Sequence, residues 1–225
     1  MKTHSEKVFE SICSAAGYVV ESLPVRNKEA LRTADFRISS GCTSFIAEVE
    51  EICANKNDLH QIQQFQKNRS ATIEGRIGSR ARKHIREAAD QLKAHVEEQI
   101  PLVIVLYNNI RPKEGLFGWP CIYLEPHDIS AAMFGDRIVH VPLGENTRAR
   151  PDKYGGGRTL TADQRLYISA VAVISDYNDS SIDFYHNHFA SIPLPRIFFD
   201  GPQFDHFIKS RELSARPWAW ERSET

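Results

Sequence analysis

The run Leu102-Val103-Ile104-Val105-Leu106-Tyr107 is apolar at every position, and it constrains the fold more than any other stretch. A strand sends successive side chains to opposite faces, so a strand with no polar position is buried on both. That is the mark of a central strand in a sheet covered by helices. Pro101 bounds the run on its N-terminal side. Upstream, Ala81, Ile85, Ala88, Ala89, Leu92 and Val96 recur at helical spacing and predict a long amphipathic helix beginning near Ser79.

The residues before this helix read as a helix followed by three strands. Val8, Phe9, Ile12, Cys13, Ala15 and Ala16 form an apolar stripe over Ser5 to Ala16, with Gly17 as its stop. Gly17 to Leu23 reads as a strand ended by Pro24, and residues 25–33 read as a charged connection. Ala34 to Ser39 and Ser44 to Glu50 read as two more strands joined at Gly41, and the Gln-rich stretch from Lys56 to Gln66 as a short helix or a loop. Residues 1–107 therefore run helix, strand, strand, strand, helix, strand. The expected class is α/β, a mixed sheet with helices on its faces.

Beyond Asn108 the pattern predicts an α+β elaboration over residues 108–225, packed on the same domain. It comprises a helix around His127 to Phe134, strands near Arg137 to Val141, Leu166 to Ser175 and Ile182 to His186, and a tail in which Trp218 and Trp220 pack onto the domain. The triplet Gly155-Gly156-Gly157 is a flexible segment and not a phosphate loop, because no Lys-Ser/Thr follows it. His186 and His188 lack a third partner and are read as structural.

Composition excludes several classes. Hydrophobic residues at 41% and charged residues at 25% are globular values. Cys13, Cys42, Cys53 and Cys121 form no CxxC pair, and no apolar stretch approaches the ~20 residues that span a bilayer. Reduced thiols in a cytoplasm are the expectation, with no membrane partner. The net charge of -1 means that any nucleic-acid surface must be local. One local cluster exists: Lys67, Arg69, Arg76, Arg80, Arg82, Lys83 and Arg86 stand against the single acid Glu74. A solvated helix face explains such a run equally well.

The strand Ser44 to Glu50 carries the chemistry. Glu48 and Glu50 project to one face, the face of Ile46 and Ile52, while Phe45, Ala47 and Val49 take the other. Adjacent anions in a row that is otherwise buried are costly unless a cation lies between them. Mg²⁺ or Mn²⁺, which prefer carboxylate oxygens and keep exchangeable waters, suit the position, with Asp35 of the preceding strand as a further ligand. Glutamates at alternate positions are also common on solvated antiparallel faces, so the triplet carries weight only through its neighbours.

With these residues in order, the chain resembles the PD-(D/E)XK, or restriction-endonuclease-like, superfamily of metal-dependent nucleases. Thr33-Ala34-Asp35-Phe36 stands where that family has Pro-Asp, and Phe45-Ile46-Ala47-Glu48-Val49-Glu50 stands where it has an apolar run ending Glu-Val-Lys. The resemblance covers residues 1–107 and implies an αβββαβ core. It implies Asp35, Glu48 and Glu50 as catalytic residues and Glu6, Asp35 and Glu48 as metal ligands. Glu6 enters because junction resolvases of the superfamily carry a metal-associated Glu on the first helix, before a Gly-aromatic pair like Gly17-Tyr18. Glu50 replaces the motif lysine, a substitution that some cutting restriction enzymes share.

A basic group can instead arrive from the long helix, where Arg82, Arg86 and Lys93 line one flank and Arg80, His84 and Gln91 the other. Arg80, Arg82, Lys83, Arg86 and Gln91 are the candidate nucleic-acid contacts. The distal segments Gly157-Arg158 through Ser169 to Val173 and Phe184-Tyr185-His186-Asn187 are similar to bacterial stand-alone proteins with this core. The expected function is Mg²⁺- or Mn²⁺-dependent phosphodiester hydrolysis, in DNA before RNA, with a homodimer as an open arrangement. The alternatives are an inactive nuclease-fold protein that binds nucleic acid or a protein partner, and a protein-interaction module.

Overall fold

The computed structural model describes residues 2–24, 34–68, 77–110, 124–138, 153–174, 180–196, 198–209 and 220–222. Helix α1 spans His4–Ala15. It starts where the Thr3 side chain accepts a hydrogen bond from the Glu6 N–H (3.2 Å), which supplies one of the partners that a first turn lacks. It stops at Gly17, whose φ of 85° turns the chain so that Tyr18 N–H reaches the Cys13 carbonyl.

Three antiparallel strands follow: β1 (Val19–Ser22), β2 (Phe36–Ser40) and β3 (Thr43–Ile52). After them come helix α2 (Lys56–Asn68), helix α3 (Ser79–Leu92), a tight 3-10 turn (Lys93–Glu98) and strand β4 (Leu102–Asn108). Then come helix α4 (Pro126–Phe134), the small hairpin β5 (Arg137–Ile138) with β6 (Lys153–Tyr154), and strands β7 (Ile168–Ile174), β8 (Ile182–His186), β9 (Phe204–Lys209) and β10 (Trp220–Arg222).

Eight strands join in one sheet, in the order β1-β2-β3-β4-β7-β8-β9-β10. Strand β4 lies parallel to both β3 and β7 and is buried at every position, which accounts for its unbroken apolar run. Strands β7 to β10 of the second half continue the same sheet, and only the β5–β6 hairpin stands apart from it among the described residues. On one face, Phe9, Ile12 and Cys13 of α1 pack with Phe36, Ile38, Phe45, Ala47, Val49, Val103 and Val105. On the other, Ala81, Ile85, Ala88, Ala89 and Leu92 of α3 pack with Ile46, Ile52, Leu102, Ile104 and Leu106. The α/β expectation of a mixed sheet between helices therefore holds.

Several boundaries differ from the sequence reading. The stretch after Lys56 is a helix through Asn68. The helix begun at Ser79 tightens after Leu92, which lets His95 turn inward where its Nε2 accepts the Ala34 N–H (3.4 Å). Strands β9 and β10 were not anticipated. Trp220 packs on Tyr185 and Phe134 as expected of a docked tail, whereas Trp218 and residues 139–141 of the expected strand lie outside the described residues. Among the described residues, no helix is long and apolar enough to cross a membrane.

Candidate functional site

The register of β2 on β3 sets the site. Phe36 lies opposite Ala47, which puts Asp35, just before β2, beside the stretch of β3 that bears the glutamates. The Asp35 N–H donates to the Ala47 carbonyl (3.2 Å), and its Oδ2 accepts the Val49 N–H (2.9 Å), the amide between Glu48 and Glu50. Asp35 is thus held by backbone on both sides. Its carboxyl is pushed up to about 6, first by burial and then by the charges of Glu6 and Glu50, against the lowering effect of the Val49 hydrogen bond.

Glu48 is the most unusual side chain here. It is only 5% exposed, and its Oε2 has no hydrogen-bond partner. Burial, followed by the charges of Asp35, Glu50 and Glu6, pushes it up to about 9. A desolvated acid oxygen without a hydrogen-bond partner, in the field of other acids, is what a hard cation would satisfy, so the residues present fit a divalent metal. Asp35, whose charge raises Glu48, lies beside it. Glu6 is electrostatically coupled to both, but one of its oxygens already accepts from Thr3 Oγ1 (2.9 Å) at the start of α1.

Glu50 is turned toward α3. Its Oε1 accepts from Gln91 Nε2 (3.2 Å), and its Oε2 lies 3.3 Å from His84 Nδ1. The flank of α3 that meets the acids is therefore the one with His84 and Gln91. Glu87 lies one turn beyond His84, and Glu50, His84 and Glu87 each offer a ligand atom within 4.8 Å of the others, a group that could hold a metal ion. An open cleft of about 490 Å³ is lined by Glu50, Glu87, Asp90 and Gln91.

The basic cluster is divided by the fold. Arg82 is 6% exposed, donates to the Ala131 carbonyl (2.8 Å) and pairs with Asp136 (3.3 Å), under the backbone of Gly157. This corrects the expectation that it faces solvent and phosphate: α4 and the segment after it cover that edge of α3. Arg80 is bound to the buried Asp58 and the Cys53 carbonyl and ties α2 to α3. Lys83 and Arg86 are exposed, Lys83 in a surface pair with Glu87 (3.8 Å). Gln91, placed among the nucleic-acid contacts by sequence, bonds Glu50 instead. Arg69 and Arg76 lie outside the described residues.

Sequence reasoning missed Glu87 and Asp90, although Glu87 at the third position after His84 was a readable signal. His186 and His188 are structural, as read: His186 Nε2 meets His206 Nδ1 at 2.8 Å in the interior, and His188 packs on Phe134 and Phe189. Comparison with protein-family models, with curated proteins and with solved structures finds no match to this chain.

Proposed function

We propose that this chain is a Mg²⁺- or Mn²⁺-dependent phosphodiesterase acting on nucleic acid, DNA before RNA, built on a restriction-endonuclease-like αβββαβ core. The reading is supported by strand order. Antiparallel β1-β2-β3 is followed by parallel β4, with α1 and α3 on opposite faces and the carboxylates on β2 and β3. The observation that carries it is the buried Glu48, its Oε2 unsatisfied, beside the half-buried Asp35.

Bound there, the ion supplies an activated water and charge stabilisation at phosphorus. Asp35 and Glu48 hold it, with Asp35 pre-positioned by the Val49 amide. Glu50 stands where the motif lysine would, and Gln91 and His84 fix its carboxylate at the cleft. Lys83 and Arg86, exposed on the same helix, are the groups that would meet backbone phosphates.

The rival reading, an uncutting protein on the same core that binds nucleic acid or a protein partner, draws on the acidity of the cleft, where Glu50, Glu87 and Asp90 would repel phosphate. Nicking of supercoiled DNA and cleavage of linear DNA, single strands and RNA, with Mg²⁺, Mn²⁺ or EDTA, separates the two. Metal-dependent cutting that falls ~10²- to 10⁴-fold in Glu48→Gln, the size of effect of losing a positioned catalytic group, supports the enzyme. Cutting that persists in EDTA or in the variant refutes it.

A further inference from the structure

We infer that Glu50, His84 and Glu87 form a second cation site, distinct from the Asp35 and Glu48 pair, that takes a divalent transition metal such as Mn²⁺, Co²⁺ or Zn²⁺ in preference to Mg²⁺. The three residues come from two elements that the core locks together. Glu50 is on β3, while His84 and Glu87 lie three apart on α3 and so share a helix face. Ala81, Ile85 and Ala88 of α3 are fully buried against the β3 face that carries Ile46 and Ile52, so the spacing of the two elements is set by close packing.

The geometry is near that of a bound ion. Ligands at about 2.1 Å from one metal lie at most ~4.2 Å apart. His84 Nδ1 and Glu50 Oε2 are already 3.3 Å apart, and the full set lies within 4.8 Å. The remaining closure falls to Glu87, whose side chain is 51% exposed and is tied by a surface pair with Lys83 that is worth little to break. Gln91 Nε2 donates to the other Glu50 oxygen and would keep the ligating carboxylate oriented, a role that outer partners play in metal sites.

A second observation points to cations at this end of the sheet. Glu48 lies two residues before Glu50 on the same face, is 5% exposed, and has an oxygen without a hydrogen-bond partner. One ion at Asp35 and Glu48 would leave three acids, Glu50, Glu87 and Asp90, lining the cleft, with only the surface pairs of Glu87 to Lys83 and Asp90 to Arg165 to offset them. A second ion would remove that repulsion from an incoming phosphodiester. The imidazole ligand sets the preference, since nitrogen donors favour first-row transition ions over Mg²⁺ and Ca²⁺.

This inference deepens the phosphodiesterase reading, but its test does not depend on cleavage. Tag-free full-length protein is titrated with Co²⁺, with visible absorption and calorimetry as readouts, and with Mg²⁺ as the contrasting ion. The wild type should bind two equivalents of Co²⁺ and one of Mg²⁺. His84→Ala and Glu87→Gln should each lose one Co²⁺ equivalent, or bind it at least about tenfold more weakly, and leave Mg²⁺ binding unchanged. Asp35→Asn should lose the other equivalent and keep the spectrum of the His84 site. Glu87→Gln changes an exposed side chain, so its result does not hinge on folding. A wild type that binds no Co²⁺, or a Glu87→Gln isotherm identical to wild type, overturns the inference; a single Co²⁺ site that Glu87→Gln weakens and Asp35→Asn spares would remove the Asp35 and Glu48 site and leave this one standing. Absence of nuclease activity alongside two Co²⁺ sites would sink the phosphodiesterase reading and leave the second site standing.

Discussion

Replacing Glu48 with Gln should stabilise the metal-free protein while abolishing its response to Mg²⁺. The carboxyl has an ordinary value of 4.5 and is pushed up to about 9 by burial and by its acidic neighbours. The folded state therefore holds a proton that the unfolded state releases. Stability is unpenalised below about pH 4.5, falls as pH rises, and reaches its full loss above about 9. At pH 7 the gap of about 2.5 pH units corresponds to about 3 kcal/mol at 1.36 kcal/mol per unit. Gln carries no charge and escapes that cost, but its amide brings a donor that needs a partner, worth about 1 kcal/mol. The net gain of about 2 kcal/mol is a rise in Tm of roughly 4–8 °C for a chain of this size.

The assay is thermal unfolding of EDTA-dialysed wild type and Glu48→Gln between pH 4.5 and 9, repeated with Mg²⁺, the ion that the His84 site disfavours. The advantage of the variant should widen with pH and vanish at about pH 5, and Mg²⁺ should raise the Tm of the wild type only. A variant no more stable than wild type at pH 8 would refute the claim that Glu48 is a strained, metal-demanding acid.

The arginines of α3 should separate by role. Arg82→Ala, which leaves Asp136 and the Ala131 carbonyl without their guanidinium partner, should cost about 2–4 kcal/mol in denaturant unfolding. Arg86→Ala should leave stability within about 0.5 kcal/mol and lower the log-log salt slope of DNA binding by about one. An unchanged slope would return Arg86 to a plain solvated face. The buried pair His186 and His206 predicts acid sensitivity: burial, then the charges of His206 and Arg196, lower His186 to about 3, and burial with the Arg196 charge lowers His206 as well. Both are neutral in the fold, so their contribution is intact above about 6.5 and is lost as pH falls below it, by about 2 kcal/mol at pH 5 for His186. Since Glu48 works in the opposite direction, the readout is the difference in Tm between wild type and His186→Gln, which should narrow from pH 7 to pH 5. A constant difference would refute the pair's role.

Much of the sheet was legible because its strands are periodic in the simplest way. The alternation in Phe45 to Glu50 placed both glutamates on the face of Ile46, and the unbroken run after Pro101 marked the centre of the sheet. The two flanks of α3 were not distinguishable, because each carries polar residues and only packing decides which meets β3. Arg82 was misread for a related reason. Its partners come from Ala131 and Asp136, and no local pattern reports a contact made across 49 residues. Strand β9 was hidden because its inward positions include His206, whose burial depends on His186 and the Phe199 carbonyl. The nearness of Asp35 to the β3 glutamates was legible from the order of the strands. That Glu50 leaves its neighbours and turns to His84 and Gln91 follows from the depth at which α3 lies, which composition and spacing do not encode.

Diffraction from crystals soaked in Mn²⁺, recorded to show the anomalous signal of the ion, tests the central claim most directly. The account predicts a peak within about 2.0–2.3 Å of carboxylate oxygens of both Asp35 and Glu48, lost in Asp35→Asn. A soak at millimolar Mn²⁺ that leaves this pair without a peak, with Glu48 Oε2 bonded to protein or water instead, would contradict it.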